Sequence, residues 1–210
     1  MKLKNSESGR SMVEMMGYMA VVMVLSAGIG NLITRAYGEY KMSKASIQLT
    51  ELSSSIVRAS AVDPTYEEVV SMVNGTHEDD VKNREGRKLI PSSFRLVGRQ
   101  IFHAFGGKVS VAIPSADIID GASDKFSIAF EGLTRDQCIE MAVKDWSQNK
   151  VADLFSVVIN NEHYWYWPIY KVISDENVLP VSRAVVAGVE VNDRGQCSRE
   201  KNNIVMWVFN

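Results

Sequence analysis

The chain has 210 residues, 46% of them hydrophobic, and a formal net charge of -2. That length holds one ordinary globular domain plus an appendage. The near-neutral charge, with no block of Lys or Arg, excludes an electrostatic footprint for nucleic acid. Cys138 and Cys197 are too few for a disulfide scaffold. They form one bridge in an oxidising compartment, or stay as two buried thiols in the cytosol.

The first element is apolar. After Glu14 the chain carries no charge from Met15 to Thr34. A helix of about 20 residues spans roughly 30 Å, the thickness of a hydrocarbon core. A secretory signal has a shorter apolar region, about 7–15 residues, ending in small residues at a cleavage site. This run is longer, and Ala27-Gly28 makes only a vague site. A buried core helix is the other competitor, but a stretch apolar all round favours lipid. Lys2, Lys4 and Arg10 precede the run; Arg35, Lys41 and Lys44 follow it, so the positive-inside rule does not orient it. Glu14 is the anomaly, because a carboxylate at the bilayer edge is costly unless wet or paired. Either it snorkels to water, or another copy of the chain supplies a cation.

The residues Gly9-Arg10-Ser11-Met12-Val13-Glu14-Met15 resemble the class III signal of type IV pilins and related pseudopilins. That pattern is a basic leader, a glycine, a cut, then a glutamate at the fifth mature position before an apolar helix. The resemblance implies a leader at 1–9, cleavage by a prepilin peptidase after Gly9, and N-methylation of Arg10. It implies that Glu14 neutralises the amino terminus of a neighbouring subunit as a filament grows. The first mature residue is usually apolar in that family and is Arg10 here. Residues 10–36 become the membrane and assembly half of the helix, and 37–210 the periplasmic or extracellular globular region.

The helix is expected to continue past the membrane. Met42, Ala45, Leu49, Leu52 and Ile56 recur at steps of three and four, one face of a helix. About two heptads are too few for a coiled coil, so the stripe packs on a sheet of the same chain. A helix from about Ser11 to Ala61 approaches roughly 75 Å. Gly28 and Gly30 each cost about 1 kcal/mol relative to alanine. They loosen the helix once in a filament, or they let helices approach closely.

"DPTYEEVVSMV" reads as a short helix capped by Asp63, with Pro64 in its first position. "NGTHEDDVKNREGRK" reads as a polar connection. His77, Glu78, Asp79 and Asp80 in it are a solvated loop rather than a metal site, and Asn74-Gly75-Thr76 matches a glycosylation sequon by letters only. Strands are expected at Lys108–Ile113 and Lys125–Leu133. "TRDQCIEMAVKDW" follows as a helix, with Thr134 and Gln137 forming a capping box. "ADLFSVVINN" and "YWYWPIYKV" read as strands, "SRAVVAGV" as a short helix, and Asn202–Phe209 as a last strand. The expected class is α+β: a helical spine across an antiparallel sheet.

"GLTRDQC", and Cys197 shortly before the final strand, resemble type IVb pilins. In that group two cysteines join the variable C-terminal region to the body, which implies a Cys138–Cys197 disulfide and an oxidising exterior. Catalytic patterns are absent. His77, His103 and His163 make no metal-ligand spacing, and "GGK" at Gly106–Lys108 lacks the preceding glycine of a P-loop. No enzyme, cofactor or resident metal is expected. In "HYWYWPIY" (His163–Tyr170), Trp165 and Trp167 either stack on a glycan or host-cell receptor or lie in a buried or subunit-contacting strand.

The expected function is structural: a subunit held in the bacterial inner membrane, then extracted by an assembly machinery into a helical homopolymer at the cell surface, for adhesion, aggregation or DNA transfer. The alternatives are a pseudopilin of a type II secretion system, a minor or tip pilin, and a single-span membrane protein with a periplasmic binding domain.

Overall fold

A computed structural model describes residues 7–61, 65–114, 124–146, 154–160, 162–165, 197 and 202–210. Helix α1 runs Glu7–Ser60. It is followed by α2 (Tyr66–Asn74), α3 (Asp80–Leu89), β1 (Arg95–Val97), β2 (Gln100–Phe102), β3 (Lys108–Ala112) and β4 (Phe126–Leu133). Then come α4 (Arg135–Val143), β5 (Leu154–Ile159), β6 (Glu162–Trp165) and β7 (Asn203–Phe209). The contacts within the chain define two units, Met1–Lys41 and Met42–Asn210.

In the first unit the described side chains of α1 from Met12 to Tyr40 are exposed. In the second, Ala45, Leu49, Leu52 and Ile56 are buried and Met42 packs beside them, so the stripe forms one wall of the core. Ser46, Ser53 and Ser54 are buried too. Each hydroxyl donates to a carbonyl three or four residues back, Ser46 to Met42 at 3.1 Å and Ser54 to Thr50 at 2.6 Å. Back-bonding satisfies these groups inside the helix, so polar letters occupy buried positions there at little cost.

Strands pair antiparallel throughout, in the order β1-β2-β3-β4-β7-β5-β6. Phe126, Ile128 and Phe130 of β4 meet Val205, Trp207 and Phe209 of β7 in one cluster with the α1 stripe. Phe126 stacks on Phe209 at 5.2 Å, and Trp207 meets Phe130 and Trp146 edge-on, each at 5.3 Å. Such geometries add to the burial of large rings. Phe155, Val158 and Val208 form a second buried cluster with Met206. The α+β class expected from the sequence is the one observed.

Two local expectations are corrected. Helix α2 is capped by Thr65, whose Oγ1 accepts from Glu68 N; Asp63 and Pro64 lie outside the described residues. The stretch read as a polar connection holds helix α3. Its N-cap is Asp79, which accepts from Val81 N at 2.7 Å, and Arg87 and Lys88 suit its negative end. A charged helix is stable here because it leans on α2. The two pack so closely at Gly86 that a Cβ there would stand 2.2 Å from Met72 O. Lys82 hydrogen-bonds Glu68 across the same contact, which raises the Lys82 pKa and lowers that of Glu68. The hairpin β1–β2 has no counterpart among the elements expected from the sequence. The region of "SRAVVAGV" lies outside the described residues, as does "YWYWPIYKV" beyond Trp165.

Candidate functional site

Large apolar side chains of α1 stand in the open: Val13 is 71% exposed, Met23 68% and Val24 73%. Glu14 is exposed among them on the same helix. Among the described residues α1 is the helix long and apolar enough to cross a membrane. Gly28 and Gly30 lie inside it without a break, and nothing within 4 Å would obstruct a Cβ at either. Packing within the subunit therefore does not require glycine there. Thr34 Oγ1 donates to Gly30 O at 2.9 Å, a bond that keeps the turn closed. Gly9 and Arg10 are helical in backbone, and their side chains lie outside the described ones.

The second unit holds its part of α1 by a polar clamp that no pattern in the sequence announces. Gln48, 1% exposed, donates from Nε2 to Ser93 O at 2.6 Å and accepts at Oε1 from Ala104 N at 2.8 Å. One side chain thus satisfies two distant backbone groups, which fixes how the helix is rotated against the sheet. Ser93 Oγ adds a bond to Glu51 Oε2 at 2.8 Å.

His103 braces the turn between β2 and β3. Its ring stacks on Phe130 at 4.8 Å. Phe105 N–H donates to Nδ1 at 3.2 Å, so the proton sits on Nε2, which donates to Glu131 O at 2.9 Å. Burial holds its pKa below the ordinary histidine value. The unfolded chain, titrating near 6.5, then binds more protons than the folded one. The stability from neutral His103 is fully present above that pH and is lost as the pH falls. Urea midpoints of the wild type are expected to drop as the pH is lowered from about 7.5 to 5.5, and those of His103→Gln to drop less. Equal slopes would mean that His103 does not carry the acid sensitivity.

Gly107 is what lets the turn close. A Cβ there would lie 2.0 Å from Glu131 O and 2.5 Å from His103 Nε2. Gly107→Ala is expected to lose about 3 kcal/mol, measured by urea unfolding, because the backbone and the ring cannot both move aside. A loss below about 0.5 kcal/mol would show that the turn relaxes freely.

Cys138 and Cys197 are disulfide-bonded, with Cα atoms 5.8 Å apart. Thr134 caps α4 in the expected capping box with Gln137, which places Cys138 on the first turn of that helix. At the far end of the sheet, Asn160 (φ 45°) turns β5 into β6. Its Oδ1 accepts from Ile204 N at 2.8 Å, and its Nδ2 donates to Asn203 Oδ1 at 2.9 Å. Trp165 lies on β6, the terminal strand among the described residues; Trp167 lies outside them. No cluster of three metal-ligating side chains occurs among the described residues.

A long N-terminal helix, apolar in its first part and packed on an antiparallel sheet in its second, defines the α+β pilin class. The model of the family described as PilS N terminal matches residues 65–210, and the chain belongs to this type IV pilin-related family. The match begins at the cap of α2 and so does not include α1. No curated protein matches the chain.

Proposed function

We propose that this chain is the structural subunit of a type IV pilus, of the IVb kind, acting by assembly and not by catalysis. It waits in the inner membrane as a prepilin, is cut after Gly9 by a prepilin peptidase, and is N-methylated at Arg10. An inner-membrane machinery then draws it into a helical homopolymer at the cell surface. The observation that carries this reading is the exposed apolar half of α1 with one carboxylate, Glu14, at its head, on a chain of a pilin-related family. The physical logic is an exchange of surroundings. Apolar side chains leave lipid and are reburied against the same segment of sister subunits, while Glu14 meets the new amine of a neighbour. Trp165 and Trp167 either pack in a buried or subunit-contacting strand or are the residues through which the filament would meet a glycan or host-cell receptor.

Mass spectrometry of the processed N-terminus tests the first step. The expected first residue is Arg10, carrying a methyl group. A chain that keeps residues 1–9 in a host with active prepilin peptidase would overturn the reading. Sheared surface filaments made mainly of this protein separate a major pilin from a minor pilin or a secretion pseudopilin.

A further inference from the structure

Away from α1, an open cavity of about 210 Å³ lies between α3 and the β1–β2 hairpin. Gly75, Asp80, Asn83, Arg84, Arg87 and Arg99 line it. Three arginines on two separate elements line one space. Among the described residues no carboxylate lies within ion-pair distance of any of them. Arg84 spends its Nε on Asp80 O at 3.4 Å, which leaves its terminal nitrogens available. The stem of Arg99 rests beside Gly75, 3.7 Å from where a Cβ would be, so the αL turn after α2 seats this side chain.

Asn83 is already committed, accepting from His77 N and donating to His77 O. These bonds hold it in the wall of the cavity. Arg87 suits the C-terminal turn of α3, but that accounts for neither Arg84 nor Arg99. Three positive charges against the single carboxylate of Asp80 leave a surplus of two, the charge of a phosphate or sulfate dianion. Guanidiniums bind such groups through paired N–H donors. A narrower cleft sharing Gly75, Arg87 and Arg99 continues past Ile90, Leu96 and Gly98. Its volume of about 10 Å³ admits at most a water, so the sugar of an ester would sit in the open cavity and not in this cleft.

We propose that this cavity is an oxyanion site that takes a phosphate or sulfate group, free or carried as a monoester on a sugar, with Arg84, Arg87 and Arg99 as its donors. Arginine-labelled full-length protein in uncharged detergent is titrated with inorganic phosphate, and separately with glucose 6-phosphate, at constant ionic strength. The Nε–H signals of the three arginines are expected to shift together and saturate. Tighter binding of the ester supports the site with its sugar held in the open cavity; equal binding supports it with the charged group alone recognised. Arg87→Gln is expected to weaken binding about tenfold, and Asp80→Asn to tighten it. The gain in Asp80→Asn is a result that misfolding cannot produce. Absence of saturable shifts with both ligands overturns the proposal. So does equal affinity in folded Arg87→Gln and wild type.

Discussion

Glu14→Ala is expected to leave the protein in the membrane at normal level and to abolish filaments. The apolar run from Met15 to Thr34 is untouched, so insertion continues. On the proposed assembly, what is lost is the partner for the amine created at Arg10. In a sparsely hydrated bundle of helices an unpaired charge costs several kcal/mol, far more than at an exposed surface. Expressed without wild-type subunits, the variant should give no sheared filaments by electron microscopy, and Glu14→Asp should restore some. Normal filaments from Glu14→Ala would refute the pairing.

The second large effect concerns the disulfide. The Cys138–Cys197 bridge closes a sequence separation of 59 residues, for which the chain-entropy account gives about 4 kcal/mol. That is a large share of the roughly 5–15 kcal/mol that holds a domain together. The double variant Cys138→Ser, Cys197→Ser is expected to unfold at much lower urea, followed by tryptophan fluorescence. The bridge joins the first turn of α4 to the approach to β7, and the rest of α4, β5 and β6 lie within the loop it closes. An unchanged midpoint would mean that packing around buried Cys138 suffices alone. The bond also requires an oxidising compartment to form and persist.

The parts legible in the sequence are those whose signal is local and repeated. The α1 stripe, the alternation in β3, the capping box of α4 and the apolar run of β7 each announce themselves within a few residues. Helix α3 is hidden because it is polar overall, with Val81 and Leu89 as its only large apolar residues. Its only buried residue is Gly86, and its support comes from α2, while Asp79 and the basic last turn were legible but outweighed by polarity. The three-residue strands of "RLVGRQIF" are too short to show alternation. The Cys138–Cys197 pairing was legible because a family pattern marks it. Gln48 and His103 were not, because each takes its meaning from partners far along the chain, Ser93 and Ala104 for one, Glu131 for the other. The arginines of the cavity are likewise scattered over two elements.

The position of β7 bears on how the protein is made. It follows β5 and β6 in the chain yet inserts between β4 and β5. As the polypeptide emerges from a ribosome or a translocation channel, β4 and β5 must each wait with a row of open hydrogen-bonding groups. Waiting edges invite the wrong partner. A chain stalled before Asn203 would carry two half-sheets that cannot join. Proteolysis of such nascent products, and the burden they place on chaperones, therefore turn on the arrival of one seven-residue segment.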